Sequence, residues 1–149
     1  MAEGFARKYG SDVMEPASAG LSPASIVQPL TKKVMEAKNI NIDSQSPKSL
    51  NSVPVRTFDL IVNMSGSPLP VRMPMPVREW PIEDPIGCSE PVYETVRDQI
   101  EMQVMRLILD LRREAESASP QAQPTGHAAP AEPPKTRTRL QASKARNRV

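Results

Sequence analysis

The sequence predicts an α/β fold with a mostly parallel sheet. Three observations carry that prediction. Helical and extended patterns alternate in the order helix, strand, helix, strand, strand, helix. One extended stretch, Thr57-Phe58-Asp59-Leu60-Ile61-Val62-Asn63, has a near-continuous apolar run, as in a strand covered on both faces. The last pattern, Ser89 to Arg113, sets Val92, Val96, Ile100, Val104, Leu107, Ile108 and Leu111 on one helical stripe.

Taken in order, residues 1–10 read as a helix, with Ala2, Phe5, Ala6 and Tyr9 on one face and Gly10 as its stop. Val13 to Ser18 reads as a short strand closed by Ala19-Gly20. Pro29 suits the first turn of a second helix, with Leu30, Val34 and Ala37 as its buried stripe. Asn39 can take the left-handed position that ends it. Ser46 to Leu50 is a loop or a single turn. After the strand at 57–63, four prolines between Met64 and Pro76 rule out helix or central strand, and an extended surface loop is expected. A short strand follows at Val77–Trp80. The last helix then starts at Ser89, a good N-cap, with Glu90 in its first turn.

Composition narrows the possibilities. At 149 residues the chain is at most one ordinary domain. Residues 1–113 carry 13 cationic and 14 anionic side chains, and residues 114–149 carry 6 and 3. A nearly neutral body is thus followed by a basic, Pro- and Ala-rich tail, expected to be disordered because it has too few apolar residues to fold. The tail predicts at most weak, salt-sensitive contact with acidic surfaces or nucleic acid. No aromatic interleaves its charges, so base stacking is not supported. Cys88 is the only cysteine, which excludes an intrachain disulfide and a Cys-rich metal site. No metal and no cofactor is expected. No apolar run approaches the length of a membrane span, and residues 1–10 have no signal-peptide core. The expected location is cytoplasmic.

The chemistry-bearing stretch is Trp80-Pro81-Ile82-Glu83-Asp84-Pro85-Ile86-Gly87. It joins a strand to a helix, the place where α/β proteins put ligands and catalytic groups. Pro85 forces Asp84 out of helical dihedrals, so a stiff loop presents one carboxylate. Read alone, such an aspartate is a solvated or capping group. Trp80 reads as a packing residue, Cys88 as an inert small residue and His127 as a tail residue without a metal role.

Five segments in this order resemble the low-molecular-weight protein tyrosine phosphatases, the superfamily that also contains the thioredoxin-coupled arsenate reductases. They are Met1-Ala2-Glu3-Gly4-Phe5-Ala6-Arg7, Ala17-Ser18-Ala19-Gly20, Phe58 to Val62, Trp80 to Pro85 and Tyr93 to Ile100. The resemblance covers residues 1–113. It implies a three-layer fold with a four-stranded parallel sheet, a Cys nucleophile in a C-x5-R-[ST] phosphate loop and an Asp general acid. By this resemblance Asp84 would be the general acid and Ser18 a hydrogen-bond donor near the thiolate. The substrate would be a phosphorylated protein or a small phosphomonoester, without a membrane partner.

The chain departs from that pattern. In the family the Cys loop lies just before the residues that match Met1, so the nucleophile, the phosphate cradle and the first strand are not in this sequence. The fold expected is therefore the family's, truncated by its first strand. Cys88 does not substitute, because the sixth residue after it is Glu94 and not arginine. Without a nucleophile, rates of such enzymes fall on the order of a millionfold, so no phosphatase activity is expected of the chain as written. An absent inner strand would remove about four buried aliphatic side chains at roughly 1.5–3 kcal/mol each, and would leave strand edges unpaired. The expectation is that Met1 is an internal methionine of a longer protein; the alternative is a degenerate paralogue acting as a binding module. The family's redox members relay oxidation through two further cysteines after the third strand. Here that segment is Met64-Ser65-Gly66-Ser67, so arsenate reduction is kept as a second alternative, disfavoured by the lack of cysteine. Ile86 stands where an aromatic often follows the Asp-Pro, which weakens tyrosine specificity.

Overall fold

The longest helix gathers the rest of the molecule around it. The computed structural model describes residues 1–118. Its elements are α1 (Ala2–Tyr9), α2 (Pro29–Glu36), β1 (Ile61–Asn63), β2 (Val77–Glu79) and α3 (Glu90–Ala118), with single 3-10 turns at Leu50–Ser52 and Val55–Thr57. Both α1 and α2 pack against α3. β1 and β2 pair in parallel, Ile61 opposite Val77 and Asn63 opposite Glu79. The result is an α/β fold with a small parallel sheet and flanking helices. The tail at 119–149 lies outside the described residues.

The core forms because each helix has one apolar stripe at helical spacing. Phe5 and Ala6 of α1 meet Met35 after α2's first turns, with Ile40 and Ile42 beyond that helix. Val96, Ile100, Val104, Leu107, Ile108 and Leu111 of α3 close the same cluster, and Leu60 and Trp80 join it from the sheet. Phe5 stacks on Tyr9 with ring centroids 6.1 Å apart. Pro29 opens α2, and Asn39 takes the left-handed conformation (φ 56°) after it, both as expected. Gly10 ends α1 for a different reason. Its φ is −123°, which any residue adopts, but a Cβ there would stand 2.9 Å from Ile108 Cγ1. Close approach of α1 to α3 requires the glycine.

Several expected boundaries change. Val13–Ser18 forms no strand. Pro16 has no N–H to give a ladder, and its carbonyl is taken by the Arg7 guanidinium at 3.1 Å. Within it Glu15 alone is a bridge residue, and beyond it Gly20 bridges Ser49 in parallel. Strand β1 keeps only the last part of 57–63, because Pro54 starts a 3-10 turn through Thr57, whose Oγ1 donates to the Pro54 carbonyl. Ala37 is exposed, and Met35 takes its place in the core. Val92 is exposed and Tyr93 is buried instead. Helix α3 begins directly after Ser89, whose carbonyl accepts from the Val92 and Tyr93 N–H groups. It runs past the expected end at Arg113 to Ala118. No helix among the described residues is long and apolar enough to cross a membrane.

Candidate functional site

Two places carry the residues singled out above. The first is the loop from β2 to α3. Trp80 is buried and anchors one end, and Ile82 packs on the same core. Between them and α3 the chain turns outward. The Cys88 N–H donates to the Pro85 carbonyl at 2.9 Å, and Gly87 has φ +83°, a conformation that favours glycine. Asp84 is exposed at the tip. Its Oδ1 accepts the Ile86 N–H at 3.1 Å, an Asx turn that fixes the carboxylate's direction. Cys88 is exposed in the same turn.

The second place is a groove of about 390 Å³ between the 14–21 segment and β1. Ala6, Trp80, Val104 and Leu107 are among the residues that line it, as are Ser18, Asn63 and Ser65. Asp84 and Cys88 are not. The two aspects of the expected site, Ser18 and Asp84, therefore do not share one cavity.

Ser18 lies on an exposed stretch, but its Oγ donates to Glu3 Oε2 at 2.5 Å. The Glu3 side chain is 4% exposed and also accepts from Arg7 Nε at 2.9 Å, while the Lys48 ammonium stands 3.8 Å away. Burial opposes ionisation of Glu3. The hydrogen bonds from Ser18 and Arg7 and the Lys48 charge outweigh that, and hold its carboxyl below the ordinary glutamate range. Glu3 thus ties α1 to the segments at 16–18 and 48. Sequence reasoning missed this role. The available signal was the acidic residue four positions before Arg7, the spacing of a helical ion pair.

Asn63 was missed as well. It is buried at the end of β1, and its side chain closes the next turn. Oδ1 accepts from the Ser65 N–H at 3.1 Å and from Ser65 Oγ at 2.8 Å, and Nδ2 donates to the Ser67 carbonyl at 2.8 Å. Asn followed by Ser-Gly-Ser at a strand end is a turn signature that could have revealed it. Among the described residues no group of three His, Cys, Asp or Glu side chains could hold a metal.

The architecture, a small parallel sheet under helices, is that of an α/β protein. Residues 1–117 match the family model of the low molecular weight phosphotyrosine protein phosphatases, and the chain belongs to that family. Its relatives include a glutaredoxin arsenate reductase of Synechocystis, 31% identical over 112 residues that cover 72% of this chain and 85% of that protein. Arsenate reductase 1 of Bacillus cereus is 32% identical over 104 residues, 67% of this chain and 77% of that protein. Among solved structures, an arsenate reductase in a phosphate-binding state superposes with a TM-score of 0.66 at 31% identity, covering 74% of this chain and 86% of the other. The arsenate reductase of Archaeoglobus fulgidus superposes at 0.60 with 27% identity, covering 72% and 86%.

Proposed function

We propose that this chain belongs to the arsenate-reducing branch of its family and serves thiol-dependent chemistry on a tetrahedral oxyanion in the cytoplasm. The observation that carries this is that arsenate reductases, as sequences and as solved structures, match nearly the whole body at about 30% identity. It favours arsenate over the phosphomonoester of the sequence-based expectation.

The chemistry assigns Asp84 a role in either case. When a thiolate attacks the central atom of an oxyanion, one oxygen must leave, and a carboxylic acid beside it supplies the proton. From phosphate ester the oxygen leaves as an alcohol or phenol; from arsenate it leaves as water. Arsenate reduction then needs two electrons. A second thiol attacks the arsenic-bound sulfur, a disulfide forms and arsenite departs. Cys88 is the one thiol of these 149 residues, so no disulfide can close within them. The second thiol would come from a separate reductant such as glutaredoxin or glutathione. No C-x5-R segment occurs in these 149 residues, and on their own they are expected to turn over neither substrate.

The test joins a β-strand and C-x5-R-[ST] loop in frame ahead of Met1 and assays both reactions. Arsenite formation that depends on glutathione and glutaredoxin is the expected result. Hydrolysis of an aryl phosphate without arsenite formation would overturn the reading and restore the phosphatase. That second reading has one specific support of its own: Met64-Ser65-Gly66-Ser67 holds no cysteine, where the family's redox members carry two. If the unmodified chain hydrolyses aryl phosphate, and Asp84→Ala abolishes it, the assignment of inactivity fails.

A further inference from the structure

The outer face of α3 carries apolar side chains where water should select polar ones. Thr95, Gln99, Met102, Arg106, Leu109 and Arg113 are spaced alternately four and three residues apart, so they fall on one stripe of the helix. All six are exposed, on the side opposite the core residues Ile100, Val104, Leu107 and Leu111. Met102 and Leu109 are 48% and 47% exposed. Met105 stands three residues after the first and four before the second, half-buried against the core. Single exposed apolar residues are common on protein surfaces. Three neighbours at i, i+3 and i+7 are a short apolar seam of the kind that a second helix packs against.

The charges on this face select the partner. Two of the arginines of α3, Arg97 and Arg112, each meet a carboxylate at 2.8 Å, on Asp98 and Asp12. The other two, Arg106 and Arg113, meet none among the described residues. Asp110 is one turn after Arg106, but Arg78 holds its carboxylate at 3.3 Å. Arg106 and Arg113 are seven residues apart, about 10.5 Å along the helix, and flank Leu109. Two unpaired guanidiniums at heptad spacing beside an apolar seam are complementary to carboxylates at the same spacing on a partner helix.

Other occupants fit this face less well. A second copy brings like charges together. In a parallel two-fold pair each residue of the seam meets itself, Arg106 and Arg113 included. In an antiparallel pair that sets Met102 on Leu109, Arg106 lies near the midpoint and again meets its own copy. Residues 119–149 carry six cationic side chains and one carboxylate, Glu132, so the rest of this chain has the wrong sign of charge. A membrane surface needs a broader apolar face and more cations than this seam offers.

We propose that this face of α3 docks an acidic amphipathic helix of another protein. The partner packs apolar side chains on Met102, Met105 and Leu109 and sets carboxylates one heptad apart on Arg106 and Arg113. This is independent of the arsenate reading, since it concerns the solvent side of α3 and not the Asp84 loop.

The test titrates the whole chain into two fluorescein-labelled helical peptides. Both carry leucine at the a and d positions of successive heptads; one carries glutamate at e and g, the other lysine. Repulsion between like charges keeps each peptide from pairing with itself. The glutamate peptide should bind saturably, and the lysine peptide about tenfold or more weakly. The double variant Arg106→Glu/Arg113→Glu should reverse that order, with an unchanged melting temperature because both side chains are exposed. Met102→Glu should weaken the glutamate peptide on the wild-type background by a similar factor. Equal binding of the two peptides, no saturable binding, or an order that the double variant leaves unreversed would each overturn the proposal. So would sedimentation showing a dimer that Met102→Glu dissociates, which would give the face to a second copy. Binding to anionic vesicles that the double variant abolishes would give it to a membrane and overturn the proposal as well.

Discussion

Ser18 Oγ and Glu3 Oε2 lie 2.5 Å apart, a hydrogen bond between an exposed chain segment and an enclosed carboxylate on α1 itself. It is the closest link between the first helix and the segment that borders the groove. Its partners, Arg7 and Lys48, complete a cluster drawn from three separate parts of the chain.

That cluster makes an acid-dependence prediction. The folded state holds the Glu3 carboxyl below its ordinary range, so the unfolded chain binds the proton more tightly. The stability Glu3 contributes is present above the ordinary glutamate pKa of about 4.3 and is lost as pH falls through the lower folded value. Glu3→Gln should cost about 1.5–3 kcal/mol at neutral pH, the scale of hydrogen bonds to a charged group. The difference between wild type and variant should shrink as pH falls below about 4. Urea unfolding at several pH values measures both. A difference that stays constant down to the acid limit would contradict the assignment.

The glycines at positions 10 and 87 should respond differently to alanine. At Gly10 the backbone is ordinary and the space is not: the new methyl meets Ile108 at 2.9–3.0 Å. Overpacking of this kind costs about 1–3 kcal/mol, and trimming the neighbour with Ile108→Val should recover part of it. Gly87 has open space around it but φ +83°, so Gly87→Ala should cost about 1–2 kcal/mol with no rescue by any neighbour. Thermal melts of the two singles and the Gly10/Ile108 double variant separate the two causes. A Gly10→Ala protein as stable as wild type would mean that α1 does not approach α3 this closely.

Asp84 separates structure from chemistry. It is exposed, and its one described hydrogen bond is the Asx contact to the Ile86 N–H. Asp84→Asn can keep an acceptor there, so stability should change by less than about 0.5 kcal/mol. In the chimera carrying a C-x5-R loop, the same change should lower turnover by about 10²–10⁴-fold, most strongly for poor leaving groups. Equal turnover of the two chimeras would remove Asp84 from the reaction.

The parts legible in the sequence were those with a local cause. Pro29 and Asn39 mark the two ends of α2 because proline and asparagine have particular backbone preferences. The α3 stripe from Val96 to Leu111 follows from spacing alone, and so does the Phe5 face of α1. Five short matches in order were enough to place the chain in its family. Tertiary packing overruled the rest. Residues 13–18 look like a strand, but only Glu15 is bridged there, and the Pro16 carbonyl meets the Arg7 guanidinium instead of a ladder. Val92 has the right spacing for the core, yet Tyr93 is the residue the helix turns inward.

By itself, then, the sequence determined the order of the three helices and the last two strands, most of the apolar stripes and the stiff Asp-Pro loop, because each depends on residues within one or two turns of one another. Only the tertiary structure decided that Glu3 is enclosed and paired with Ser18, that Gly10 is needed for space and not for its dihedrals, and that Asp84 stands outside the groove that Ser18 borders. Those facts depend on segments far apart in the chain meeting at specific distances, and side-chain spacing along a helix or strand carries no information about which distant carboxylate or carbonyl it will meet.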